Sequence, residues 1–479
     1  MTFLKNHFWL FICIVITLLL RYPSLFEPYW HGDEGISLAL GQAIRRGELI
    51  YRDITDNKPP LLYIIFSIGG SLAWAKGILL LWSIGTVSSF YFLAISLVKK
   101  SWAILSTIFF SIIINIPLFE GNVANGEIFF ILPTTFGMLL LWKYKDSLSL
   151  RPFFNIGAVF SLGFLFKVPA VSDFIAAIIF LIFVEEGFLR RKLFIRLFVL
   201  TAGFITPFVI TLLPFVLSGA LSDFWVNVFE RNLSYSSWEN SFRIYYLIFL
   251  IIVLPLFYYF RKRFSPAFML LFLWFFLAVL GSRISIRPYT HYLIQVLPSL
   301  SLIVFFIIFD IRRNFLLAFV PLFFYLALVP QFPLNRGSVG YQLGYYRNFI
   351  DYKSGKINIT VYRSFFDPHV PRTYAVADYL KANTLPGQPT FIWGDDALIY
   401  DLSDRPPIGK YIVAYITPIW DSNFKETVHD LVIKQPLYIL VSTERIDVFP
   451  FPFLTKFLSE NYKKDVQFAD IIVYKRIIP

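Results

Sequence analysis

Apolar runs of roughly membrane length recur along the first two thirds of this chain, and no other feature narrows its fold so sharply. They fall at about 8–20, 77–98, 102–118, 127–142, 153–166, 169–184, 194–217, 244–260, 265–281, 290–309 and 314–330. A helix needs roughly 20 apolar residues to cross a bilayer upright. Every backbone polar group in lipid must be satisfied within the spanning element, which selects helices for runs of this kind. Composition agrees: of 479 residues, 57% are hydrophobic, 20% aromatic and only 15% charged, where a soluble domain is charged at about 25% of positions. Mean hydropathy is +0.65. A soluble protein is excluded, and a polytopic helical membrane protein with about eleven spans is expected. Arg21, Tyr22 and Pro23 follow the first run with no small-residue cleavage pattern, so that run reads as a retained span and not a signal peptide.

Charge supports a division into residues 1–330, the membrane part, and residues 331–479. The latter hold 17 Lys or Arg against 15 Asp or Glu, so nearly all of the net charge of +12 belongs to the apolar part. Cytoplasmic loops explain that excess better than nucleic acid binding does. Basic clusters at Lys99–Lys100, Lys143–Arg151, Arg190–Lys192, Arg261–Arg263 and Arg312–Arg313 all face the cytoplasm if eleven spans start from a cytoplasmic N-terminus. That agreement requires the short stretch from Leu61 to Trp74, opened by Pro59-Pro60 and carrying Gly69-Gly70, to be an interfacial helix and not a span. The loops at 22–76, 119–126, 218–243 and 282–289, with the tail 331–479, then lie outside in a plasma or inner membrane. In the tail, β-rich runs at Pro389–Trp393 and Leu437–Val441 alternate with a helical stretch at Tyr374–Ala382. A small extracytoplasmic α/β domain is expected there, after a linker near Pro330–Gly340. The one cysteine, Cys13, rules out a disulfide within the chain.

The outer loops concentrate the reactive side chains. The first carries His31-Gly32-Asp33-Glu34-Gly35, then Tyr51-Arg52-Asp53-Ile54-Thr55-Asp56-Asn57-Lys58-Pro59-Pro60. Adjacent carboxylates with a lysine ahead of an interfacial helix could set a base beside a phosphate leaving group. The plainer alternative is that Asp33 and Glu34 offset the dipole of a helix running to about Arg46, and that Lys58 snorkels. The second loop adds Glu120 and Glu127, and a carboxylate at membrane depth is by default a functional candidate. Arg283 and Arg287 stand on the outer face against the charge bias, and guanidinium groups bind phosphate oxygens with paired hydrogen bonds. Lys167, beside Pro169, is a further candidate phosphate contact or a snorkelling end residue. Asp56, Glu127, His291 and Tyr292 are candidate substrate contacts. No cofactor is certain, and a divalent cation at Glu127 or His291 stays open. In the tail, Trp393-Gly394-Asp395-Asp396 and Asp401–Pro407 cluster charge after a strand, either as a solvated loop or for acceptor binding.

The acidic pair after the first span, the tyrosine and acids ahead of Lys-Pro-Pro-Leu-Leu-Tyr at 58–63, and the second-loop carboxylate together form a pattern. It resembles the GT-C membrane glycosyltransferases of the protein O-mannosyltransferase and aminoarabinose transferase type, glycosyltransferase family 39 and its bacterial relatives. The tail segment from Trp393 to Pro407 is similar to the extracytoplasmic domain of bacterial members. The resemblance implies an inverting transfer of a sugar from a polyprenyl-phosphate donor to an extracytoplasmic acceptor, be it glycan, lipid or protein. It implies Asp33, with Glu34 beside it, as the catalytic carboxylates, Asp33 being the base, Lys58 as a contact to the donor phosphate, and Glu127 as the second-loop carboxylate. Ile36, Ser37 and Asn57 stand where aminoarabinose transferases usually carry an arginine and a glutamate, so a lipid A acceptor is not expected. Membrane lipid is an expected partner and nucleic acid is not. A transporter or flippase of lipid-linked saccharides is the alternative, but the candidate residues gather on one face and show no paired repeat.

Overall fold

The computed structural model describes residues 7–185, 191–232, 249–283, 289–310 and 338–477. Among them five helices are long and apolar enough to cross a membrane: Phe8–Phe26, Leu72–Leu97, Gly126–Tyr144, Arg191–Leu217 and Thr290–Ile307. Four shorter apolar helices, Lys100–Ile113, Arg151–Phe166, Val168–Val184 and Pro266–Ser282, fall on other expected spans. The run at 244–260 is described only from 249, as Phe249–Val253 followed by Leu254–Tyr259. The run at 314–330, the boundary at 330 and most of the expected linker lie outside the described residues.

The chain divides into two compact units. The first comprises Met1–Ser24, Gly77–Val216 and Asn232–Leu343 and holds most of the apolar helices. Helix Arg191–Leu217, 27 residues, rises about 40 Å at about 1.5 Å per residue, more than the roughly 30 Å of a hydrocarbon core. It turns Phe194, Phe198, Ile210 and Leu217 outward, as a lipid-facing helix should. Its other side meets Arg151–Phe166 backbone to backbone. A Cβ added at Gly157 would fall 1.9 Å from the Leu200 carbonyl oxygen, and one at Gly203 would fall 2.0 Å from that of Phe154. Small residues facing each other this way let membrane helices gain dispersion where lipid offers no hydrophobic drive.

The second unit joins Leu25–Lys76 and Leu217–Arg231 to Gly344–Pro479. Helix Gly32–Arg45 matches the expected amphipathic helix. The expected interfacial helix is nine residues, Leu61–Gly69, rising only about 14 Å, and Gly70 ends it in the left-handed region at φ 61°. The tail folds as helices around a four-stranded sheet of order β1-β2-β4-β3, with β1 Phe391–Trp393, β2 Tyr438–Ser442, β3 Tyr462–Phe468 and β4 Ile471–Arg476. β1 and β2 are parallel, with Ile392 opposite Leu440, whereas β4 runs antiparallel to β2 and β3. Both parallel strands are buried along their whole length, which explains why each is an uninterrupted apolar run. Phe391, Trp393, Ile439 and Val441 pack with Phe451, Leu454 and Phe457 in one core.

Candidate active site

Asp33 sits in the first turn of helix Gly32–Arg45, whose N-cap is His31; the imidazole accepts from the Asp33 backbone N–H at 3.3 Å. An acid there offsets the helix dipole, so the plain reading holds as far as it goes, but the carboxylate has a second partner. Lys58 Nζ donates to Asp33 Oδ1 at 3.3 Å and to Asp56 Oδ2 at 2.9 Å. Asp56 Oδ2 also accepts from the Tyr63 hydroxyl at 2.7 Å. The Lys58 backbone is held from both sides: its carbonyl accepts from Tyr51 Oη at 2.7 Å and its N–H donates to Tyr63 Oη at 3.2 Å. Pro59 and Pro60 then set the start of Leu61–Gly69, which carries Tyr63 back over the loop. Lys58 and Asp56 are buried, and Asp33 is the most exposed of the three at 22% of its side chain. Burial alone would lower the Lys58 pKa, but the charges of Asp33 and Asp56 outweigh it and hold the ammonium well above its ordinary value. Burial, then the Asp56 charge, pushes the Tyr63 hydroxyl well above its usual range. The result is a fixed cation flanked by one sequestered and one accessible carboxylate.

Glu34, next to Asp33, turns about 100° further round the helix and enters a different network. Lys76 Nζ lies 2.6 Å from Glu34 Oε1 and 2.9 Å from Glu27 Oε2, and the Tyr345 hydroxyl donates to Glu27 Oε1 at 2.5 Å. All four side chains are buried. Lys76 and Glu27 were not among the expected site residues. The available signal was a lysine inside the apolar run that begins at Leu72, where an ionisable residue is costly and needs a partner.

The first unit gathers the remaining candidates. Helix Gly126–Tyr144 is capped by Asn125, which accepts from the Ile128 N–H at 3.3 Å, so Glu127 is free of capping duty. It is buried, pairs with Lys167, and its Oε2 has no hydrogen-bond partner among the described residues. Lys167 Nζ also lies 4.5 Å from the centre of the Tyr292 ring, a cation–π distance. Glu120, at φ 57°, directs Oε2 to His291 Nδ1 at 2.7 Å and Oε1 to the Thr290 hydroxyl at 3.4 Å. Tyr289 lies parallel to His291 with ring centres 5.5 Å apart. Arg283 is buried where Pro266–Ser282 ends, and Arg287 lies outside the described residues. The structure thus brings Glu120, Glu127, Lys167, His291 and Tyr292 together within this unit. Glu127 and His291 are engaged by different partners, and among the described residues no group of three or more His, Cys, Asp or Glu converges as a metal site would require.

No family model matches the chain, and no curated protein does. Solved structures do. The crystal structure of ArnT from Cupriavidus metallidurans bound to undecaprenyl phosphate superposes with a TM-score of 0.58 at 11% identity, covering 98% of this chain and 98% of that one. The apo form of the same enzyme gives 0.58 at 13% identity, covering 99% and 98%. The apo Archaeoglobus fulgidus oligosaccharyltransferase gives 0.53 at 14% identity, covering 91% of this chain and 69% of that one. At such identities the likeness speaks to fold, and it runs nearly the full length of the chain. This chain has the GT-C membrane fold, with a small α/β domain at its C-terminal end.

Proposed function

We propose that this protein is an integral-membrane glycosyltransferase that moves a sugar from a polyprenyl-phosphate donor to a hydroxyl of an acceptor on the outer side of the membrane. The observation that carries the reading is the Lys58 ammonium held between Asp33 and Asp56. It puts a group able to take a proton beside a group able to receive a leaving phosphate. The reaction balances on these residues. Asp33 takes the acceptor hydroxyl proton while the acceptor oxygen bonds to the anomeric carbon. The bond from that carbon to the phosphate oxygen breaks, and the electron pair leaves with the polyprenyl phosphate, whose charge Lys58 offsets. One displacement of this kind inverts the anomeric centre. Asp56 and Tyr63 keep Lys58 charged and in place. Glu34, closed in against Lys76, orients the helix turn that presents Asp33.

In the first unit, taken by itself, Lys167 is proposed as a phosphate contact, with Glu127 orienting it, and His291 and Tyr292 are proposed as substrate contacts. Arg283 and Arg287 are proposed as further phosphate contacts. The likeness to an enzyme crystallised with undecaprenyl phosphate supports a polyprenyl carrier. The basic clusters support a cytoplasmic N-terminus, with the tail and active side outside. The test is to give the full chain, in lipid nanodiscs, a panel of polyprenyl-phosphate sugars with an extract of envelope glycans and lipids. Consumption of a donor with sugar appearing in the acceptor fraction is expected. Movement of intact lipid-linked sugar across the bilayer with no release of polyprenyl phosphate overturns the reading.

A further inference from the structure

A crevice opens at the carboxyl ends of the two parallel strands of the tail sheet. β1 runs into Gly394-Asp395-Asp396 and β2 into Thr443-Glu444-Arg445, and the cavity between these ends has a volume of about 280 Å³. Crevices outside the carboxyl ends of parallel strands are where open α/β sheets usually hold ligands. Tyr29, Trp30 and Gly32 of the first outer loop close its near side. All of these residues belong to the second compact unit. Gly32 directly precedes Asp33 in sequence, and a Cβ added at Gly32 would meet nothing within 4 Å, so this stretch of the wall is not filled by side chains.

The lining has a definite chemistry. Arg372 reaches Asp396 with both terminal nitrogens, at 3.0 and 3.3 Å, and Asp470 at 3.3 Å. Arg445 Nε lies 2.8 Å from Asp395 Oδ2. Both guanidiniums are therefore already neutralised, while Asp367 and Glu444 add further carboxylates, leaving the crevice net negative. Arg372 Nε is buried with no hydrogen-bond partner among the described residues. Burial raises the pKa of both Asp395 and Asp396, which marks their carboxylates as under-solvated. At about 280 Å³ the cavity lies just under the roughly 300–1,000 Å³ of sites for drug-sized ligands, a size that suits one sugar ring.

We propose that this crevice binds the acceptor as a single pyranose ring of a neutral or amino-bearing saccharide, with its hydroxyls on the Asp396, Arg372 and Glu444 side chains and its apolar face on Trp30. The proposal rests on the transferase reading for the word acceptor, but not for the binding itself. A net negative lining repels phosphorylated or carboxylated sugars, which matches the absence of the features expected of a lipid A acceptor.

Saturation-transfer NMR on the full chain in nanodiscs tests it, with methyl glucoside, methyl N-acetylglucosaminide, glucosamine, glucose 6-phosphate and the tripeptide Ala-Lys-Ala as probes. At least one uncharged or amino sugar is expected to bind and glucose 6-phosphate not. Asp396→Asn should weaken that binding about tenfold, which is about 1.4 kcal/mol. Glu444→Gln, at an exposed rim position, should weaken it in the same direction without touching the Arg372 pair, which covers misfolding of the first variant. Lys456→Ala, exposed elsewhere on the tail, should change nothing. The inference is overturned if no sugar binds, if binding ignores both crevice variants, or if the phosphosugar or the tripeptide binds best. Donor turnover in the same preparation separates the two readings. A chain that consumes donor but binds no sugar here sinks only this inference, and one that binds sugar but consumes no donor sinks only the transferase.

Discussion

Lys58 Nζ stands 3.3 Å from Asp33 Oδ1 across 25 residues of chain, so the helix turn that carries the accessible carboxylate and the proline-started helix that follows the lysine are fixed to one another. Tyr51 from the loop between them and Tyr63 from the second helix hold the Lys58 backbone, so neither helix sets the pair alone.

Lys58→Met removes the proposed charged contact to the donor phosphate, worth about 1.5–3 kcal/mol, which is roughly 10- to 100-fold in kcat/KM. Because Lys58 offsets charge that develops as the phosphate leaves, most of the loss should appear in kcat, measured by initial-rate transfer at saturating donor. Because the Lys58 pKa is raised on folding, its ion pairing is fully present below the unfolded pKa near 10.4 and is lost as pH rises through the folded value. The difference in Tm between wild type and Lys58→Met should therefore be flat from about pH 6 to 9.

Lys76→Met leaves Glu27 and Glu34 buried without their cation. Removing one member of a buried ionic cluster costs about 3–5 kcal/mol, so thermal unfolding should shift strongly downward. The triple variant with Glu27→Gln and Glu34→Gln should recover much of the loss. Equal Tm values for single and triple variants would show that the cluster is not coupled.

Asp401 accepts from Gln42 Nε2 at 3.1 Å, and burial raises its pKa above the usual carboxylate value. A raised folded pKa gives stability that is fully present below the unfolded pKa near 3.9 and is lost as pH climbs through the folded value. Asp401→Asn should therefore gain Tm relative to wild type progressively as pH rises above about 4, read by melting in matched buffers.

Glu127 is engaged by Lys167 and His291 by Glu120. Transfer should persist undiminished in excess EDTA, and added manganese or magnesium should not raise it. A chelator-sensitive activity restored by one ion would put a metal at this site.

Much of this was legible in the sequence because it is local. Asp33, Asp56 and Lys58 lie in one loop, and the loop's own prolines and tyrosines bring them together. β1 and β2 showed as apolar runs because both are buried throughout. β3 did not, because Tyr-Lys-Lys-Asp-Val-Gln-Phe is a solvated edge strand whose lysines guard its free side and leave no apolar run to read. Glu120 and His291, separated by 171 residues, could be picked out by type but not paired, since only the helix packing supplies that contact. Lys76 lies inside the apolar helix that begins at Leu72, and its partners Glu27 and Glu34 come from separate segments, so its local sequence does not reveal the cluster.

The most direct test is sugar transfer from radiolabelled polyprenyl-phosphate donor by wild type and Asp33→Asn at matched expression. The account predicts that wild type releases polyprenyl phosphate and that Asp33→Asn loses a factor of about 10² to 10⁴ in kcat, the contribution of a general base, while binding the donor as before. An Asp33→Asn protein that turns over donor as fast as wild type would contradict it.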